Sequence, residues 1–392
     1  MIICSQNFLQ AMGSRFKEVY LKIEFYDHEM KYIGEFTRLL SQDDLGQISV
    51  DVTRPVRRSF QFALCNQDGR FTWGEDKLVW IDKRCRILLG LKLPDGTIEY
   101  VPQGVFVLTE PADTHDFDGK RTYLTGQDKA YLLTDKRGRF LHETTIAKNV
   151  NIGTAIRTIA DGGGETLFNF DEVAEVTPFE FTYEHGDNRW RAIKELAELA
   201  KSDVFYDVYG YLRLKKIDFN SFENDAVVWI YRNNEPTDIY YAGNIRRFDE
   251  TNLSNHIIVL GGSGQTASCR YELKVDKTDP LWTGSPYSIQ KIGDILYEHN
   301  NGSPDSLLAT ADECKWRAKY ELMRRLGFSE RVSMQVSPNW LHDGGDIIVI
   351  EDQENDVTGK YLLTSFNLPL IPELMNCECL KYRTVITDWN FI

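Results

Sequence analysis

At 392 residues, 42% of them hydrophobic and 12% aromatic, the chain is long for one core and suits two to four modest domains; nothing in its composition reads as disordered. A formal charge of −14 excludes a protein that grips nucleic acid by its phosphates, since that takes clustered Lys and Arg, but it suits a surface past which DNA slides without sticking. Tyr and Phe dominate the aromatic share, which favours strands and predicts a β-rich protein.

The first residues, Met1-Ile2-Ile3-Cys4-Ser5-Gln6, lack the basic region and apolar stretch of a signal peptide. The longest apolar run, Ala226 to Tyr231, is too short to span a bilayer, so no membrane anchor is expected. From Glu18 to about Asp135 short strands follow one another. Val19 to Phe25 and Ile48 to Val52 alternate, and Ser59 to Leu64 puts Phe60, Phe62 and Leu64 on one face. Turns fall at Asn66-Gln67-Asp68-Gly69 and Pro94-Asp95-Gly96, which suggests a small barrel or sandwich.

The period then becomes helical. Ile152, Ala155, Ile156 and Ile159 predict a helix stopped by Gly162-Gly163-Gly164. Trp190, Ile193, Leu196, Ala197 and Ala200 predict a second, capped by Asp187 or Asn188. Strands Val204 to Val208 and Tyr211 to Lys215, hinged at Gly210, complete an α+β unit. Residues 226–262 return to strand, a third helix is expected from about Asp305 to Leu326, and Arg331 to Arg383 is strand-like again. The expected class is therefore α+β and β-rich. A first β-barrel domain covers 1–135 and an α+β domain 136–227. A discontinuous second β-barrel takes 228–262 and 327–385; an insertion, 263–326, packs its long helix on the α+β domain, and 386–392 form a tail.

Residues that could carry chemistry are few. Seven cysteines, from Cys4 to Cys379, show no disulfide or zinc spacing and read as reduced, mostly buried thiols. The closest pair, Cys377 and Cys379, is expected on opposite faces of a strand and unable to share a metal. His142-Glu143 starts like a zinc-protease helix, but Ile146 stands where the second histidine belongs. Gly261-Gly262-Ser263-Gly264 lacks the Lys-Ser/Thr and helix of a phosphate loop. Asp343-Gly344-Gly345-Asp346 offers a cation too few oxygens. Glu195 and Glu198 are expected on the solvated face of their helix, and Trp282, Trp340 and Trp389 in packing rather than on sugars. No residue is assigned as catalytic, cofactor-binding or metal-binding, no cofactor is expected, and the protein is not expected to be an enzyme.

The two β regions echo each other. Gly104-Val105-Phe106-Val107-Leu108-Thr109 and Gly359-Lys360-Tyr361-Leu362-Leu363-Thr364 share the form Gly-x-aromatic-x-Leu-Thr. Trp80-Ile81 and Trp340-Leu341 precede them, and the alternating strands Arg58 to Leu64 and Arg331 to Ser337 come before those. A chain with two similar barrels, taken three times, fits a three-fold object onto a six-fold one.

Several pieces in order carry a resemblance over nearly the whole chain. They are Arg57-Arg58-Ser59-Phe60 leading to Asn66-Gln67-Asp68-Gly69, Gly104-Val105-Phe106, Gln127-Asp128-Lys129 before Leu132-Leu133, Trp190 to Ala200 running into Tyr206 to Leu212, Asn255 to Gly261, and Gly345-Asp346-Ile347-Ile348. The chain resembles the baseplate hub proteins of tailed phages, a group related to late control protein D and to the N-terminal region of tail-associated lysins. The resemblance implies a structural homotrimeric ring at the tail tip of a virion, made in the host cytoplasm. Such a ring adapts a six-fold tail tube or distal tail protein to a three-fold central spike or fibre. It lines the DNA channel without sequence-specific nucleic acid binding and neighbours the tape measure protein. A tail-associated peptidoglycan hydrolase and a host-carbohydrate-binding tail module are the alternatives. The chain stops at Ile392, just past the second expected barrel, where the lysins continue into a hydrolase.

Overall fold

A computed structural model describes residues 1–381 apart from 15, 42, 118, 135, 219–224, 234–240, 249, 263–266, 277–284, 328–329 and 372. Trp282, Trp389 and the expected tail 386–392 lie outside the described residues. After helix α1 (Gln6–Gly13), whose Ser5 cap accepts from the Phe8 N–H, eight strands follow: β1 (Val19–Tyr26), β2 (Tyr32–Leu39), β3 (Leu45–Asp51), β4 (Arg58–Cys65), β5 (Arg84–Lys92), β6 (Ile98–Leu108), β7 (Ala112–Asp116) and β8 (Gly119–Asp128).

The chain then folds as β9 (Thr144–Ile146), α2 (Ile152–Asp161), β10 (Phe168–Phe170), β11 (Phe181–Tyr183), α3 (Arg189–Leu199), β12 (Ser202–Tyr206) and β13 (Leu212–Lys216). Asn151 and Asn188 cap the two helices by accepting from the Thr154 and Arg191 N–H groups at 3.2 and 3.0 Å. Their apolar stripes, Ile152, Ala155, Ile156 and Ile159 against Trp190, Ile193, Leu196 and Ala197, close a core of their own.

Next come β14 (Trp229–Arg232), β15 (Tyr241–Phe248), β16 (His256–Gly261), β17 (Cys269–Lys274), β18 (Leu296–Glu298) and α4 (Ala311–Leu322), which runs on as a π-turn, Met323–Gly327. Strands β19 (Glu330–Val336), β20 (Ile347–Asp352), β21 (Val357–Pro369) and β22 (Met375–Lys381) end the described chain. Helix α4 starts later than its sequence pattern suggests because Thr310 and Glu313 form a capping box there, fixing the first turn after the Asp305–Leu308 bend. No helix of the described residues is long and apolar enough to cross a membrane.

Two β units emerge, and they pair alike. In the first, β3 pairs β4, β4 pairs β8, and the β5–β6 hairpin joins through β6 to β8. In the second, β15 pairs β19, β19 pairs β22, and the β20–β21 hairpin joins through β21 to β22. Gly104 faces Ile87 and Gly359 faces Ile350, both with left-handed φ, so the Gly-x-aromatic-x-Leu-Thr strings occupy one structural position twice. The upstream match needs moving by one residue. Leu108 reaches Phe60 through Gly126, and Leu363 reaches Val332 through Cys379, so Arg58 corresponds to Glu330 rather than Arg331.

Three further expectations change. The units do not appear as two separate closed barrels: Ser365–Pro369 of β21 pairs with β3, and both units run into one 14-stranded sheet over a shared core. Strand β16, expected in the second β unit, pairs instead with β17 and β18, and α4 packs on that small sheet through Cys314, Ala318 and Leu322. The insertion is thus a third core rather than an appendage of the α+β domain, which α4 meets through Arg317 and Glu198 at 2.6 Å. Cys377 and Cys379, finally, are both buried on the same face of β22, because residues two apart on a strand point the same way.

The α+β domain is pinned to the first unit by buried charge. Lys129 donates to Glu165 at 2.8 Å and to the Gly210 carbonyl at 3.0 Å, while the Tyr206 hydroxyl donates to the other Glu165 oxygen at 2.6 Å. Gly210 is left-handed, and a Cβ there would meet Val105 at 2.8 Å, so only glycine permits this approach.

Candidate functional site

Strand alternation gives the β19–β22–β21–β3–β4–β8 stretch two faces. One is core: Val50, Phe60, Phe62, Leu124, Val332, Met334, Phe366, Leu368 and Cys377 are buried. On the other, the register lines up side chains from six strands. Gln335, Asn376, Asn367, Ser49, Ser59 and Gln127 stand in one row, Ser333, Glu378, Ser365 and Asp51 in a second, and Gln47, Gln61 and Thr125 in a third.

Amides and hydroxyls bond along the rows. Gln335 donates to Asn376 at 2.9 Å, Ser333 donates to Glu378 at 2.8 Å, and the Thr109 and Thr125 hydroxyls meet at 3.0 Å. Two acids and three arginines stand on or beside this face: Glu378 and Asp51, with Arg54 on Asp51 at 3.0 Å, and Arg247 opposite Arg331 at the β15–β19 edge. The rows present mostly neutral donors and acceptors. Among the described residues, the three rows themselves carry no Lys or Arg with which to hold a polyanion.

The residues weighed for chemistry are engaged elsewhere or stand apart. His142 and Glu143 are exposed just before β9, a strand where a zinc-protease helix would have to be. Asp343 pairs with the buried Arg58. Asp346 accepts from the N-terminal amine at 2.5 Å and from the Asp343 N–H at 2.9 Å. Burial works to raise the Asp346 pKa, but His342 and the N-terminal amine hold it below the usual carboxylate value. Those two carboxylates therefore close a loop instead of presenting oxygens to an ion.

Glu198 is half exposed and pairs with Arg317, whereas Glu195 is partly buried, and that burial raises its pKa. Trp340 is buried, as expected for packing. Among the described residues no three His, Cys, Asp or Glu side chains converge as a metal group. The polar face itself escaped the sequence reading. Each strand shows its own alternation, but which serine or glutamine stands beside which depends on long-range register.

The sequence matches no protein-family model and no curated protein. Its fold is similar to that of a tail protein from Neisseria meningitidis MC58, at 12% identity over 94% of this chain and 98% of that one, with a TM-score of 0.62. It is also similar to the 43 kDa tail protein of prophage MuSo2 from Shewanella oneidensis, at 11% identity over 93% and 98% of the two chains and a TM-score of 0.60. Prophage tail protein gp18 from Listeria monocytogenes EGD-e aligns at 11% identity over 93% and 94%, with a TM-score of 0.53. The chain thus has the fold of these tail proteins over more than nine-tenths of its length.

Proposed function

We propose that the protein is a structural hub of a phage tail or a related injection machine, a virion component that acts through shape and surface. Three copies form a ring that adapts a six-fold tail tube or distal tail protein to a three-fold spike or fibre. The paired β units supply six similar faces to one side and three chains to the other. The polar sheet face carries this reading. It spans both units, is built mostly of uncharged amides and hydroxyls, and suits a channel wall along which DNA slides without being held. The tape measure protein is the expected neighbour inside the ring.

Light scattering of the purified chain, alone and mixed with the tail proteins encoded beside it, tests the ring. A trimer in either case is expected; a monomer that engages none of them overturns it. The wall is tested on the assembled ring by DNA retention. Wild type is expected to hold no DNA at physiological salt, and the triple variant Gln61→Lys, Gln127→Lys, Asn367→Lys to retain it in a salt-sensitive way. Retention by the wild type would remove the channel from the proposal.

A further inference from the structure

The unit built on β16, β17, β18 and α4 brings together two thiols from 45 residues apart. Cys269 opens β17 and Cys314 lies in the first turns of α4. Their Sγ atoms stand 3.1 Å apart, inside van der Waals contact, and Cys269 Sγ lies 3.7 Å from the Leu308 carbonyl. Gly261, the partner of Cys269 in the β16–β17 ladder, leaves room for both. A Cβ there would fall 2.6 Å from Cys269 Sγ and 2.9 Å from Cys314 Sγ. Cys314 is fully buried, while Cys269 is only partly so.

We propose that Cys269 and Cys314 are a modification site: a disulfide that closes when the reduced protein meets a small-molecule disulfide. The Cys269 thiolate attacks the external disulfide, forming a mixed disulfide and releasing one thiol. Cys314 then loses its proton and attacks Cys269 Sγ, forming the protein disulfide and releasing the second thiol. Two protein thiols are oxidised and one small-molecule disulfide is reduced to two thiols. In a reducing cytoplasm the pair stays open, and outside it the link joins β17 to α4. Burial, then the hydrogen bond with the Cys269 thiol, pushes the reduced Cys314 thiol up to about 12. Attack needs the Cys314 thiolate, so closure of the disulfide speeds up with pH.

The test incubates reduced full-length protein with glutathione disulfide, then denatures it, blocks free thiols with iodoacetamide and maps peptides without reduction. A single intramolecular peptide pair joining Cys269 to Cys314, with Cys4, Cys65, Cys85, Cys377 and Cys379 alkylated, is expected. Alkylation of both, a stable glutathione adduct on both, or a link between two copies overturns the site. In Cys314→Ser the route stops halfway, so glutathione is expected to remain on Cys269. An unmodified Cys269 in that variant would overturn the proposed order of attack.

Discussion

The two β units pair their strands alike and invert a charge. One step beyond the Ser59–Gln127 and Arg331–Leu380 pairs, Arg58 faces Asp128 in the first unit and Glu330 faces Lys381 in the second. The third strand brings Phe106 beside Asp128 and Tyr361 beside Lys381. Arg58 and Glu330 are both buried. The first has its backbone N–H on Asp128 at 2.8 Å and its guanidinium on Asp343; the second meets Arg246 at 3.0 Å and Lys381 at 3.5 Å. The ladder thus tolerates either polarity at this position as long as the buried charge meets its opposite.

The largest expected loss lies where the first unit continues past its charged pair into Lys129. Lys129→Ala leaves Glu165 buried and without its cation, at a cost of about 3 to 5 kcal/mol in chemical denaturation. A loss under 1 kcal/mol would show that the α+β domain does not depend on this tie.

Next, Arg58→Ala is expected to cost about 3 kcal/mol and Glu330→Ala about 1 to 2. Without Arg58, Asp343 loses its ion partner, and the buried Asp128, though it keeps its backbone donors, loses a nearby positive charge. Arg246 and Lys381, by contrast, are a third and a fifth exposed and can rehydrate. The same denaturation series ranks the two, and equal costs would break the comparison.

The units also differ in how they respond to pH. Burial raises the Asp128 pKa to about 6, above its unfolded value of about 4. Its contribution therefore costs nothing below pH 4, worsens between pH 4 and 6 by roughly 3 kcal/mol, and is constant above. Asp128→Asn should gain on the wild type across that interval in urea midpoints. Asp346, held low by His342 and the N-terminal amine, contributes stability above its unfolded pKa that is lost as pH falls through the folded one. Asp346→Asn should lose at neutral pH and match the wild type in acid, the opposite slope.

The smallest effect is at the repeated glycines. Gly359→Ala meets open space and only backbone strain, about 1 kcal/mol. Gly104→Ala adds a Cβ 2.7 Å from the Phe106 ring and should cost about 2. Melting temperatures of the two variants rank them.

Much of this was legible. Phe60, Phe62 and Leu64 alternate and are buried together; the helical stripes from Ile152 and Trp190 fall on α2 and α3; and the repeated string marks β6 and β21. Arg58 and Arg331 share a residue type but not a position, since cross-strand partners through Leu108 and Leu363 set Arg58 against Glu330. The β21–β3 join, the polar face and the assignment of β16 to the small sheet all rest on pairing across long stretches of chain, which alternation within a strand does not encode. The Cys269–Cys314 contact was hidden for the same reason.

Strand β21 belongs to the ladders of both units, with Tyr361–Asn367 on β22 and Ser365–Pro369 on β3. Tension along the axis of this strand would load its rungs together in shear instead of opening them one by one like a zip. The two units would then stay joined under loads that part looser connections of the fold.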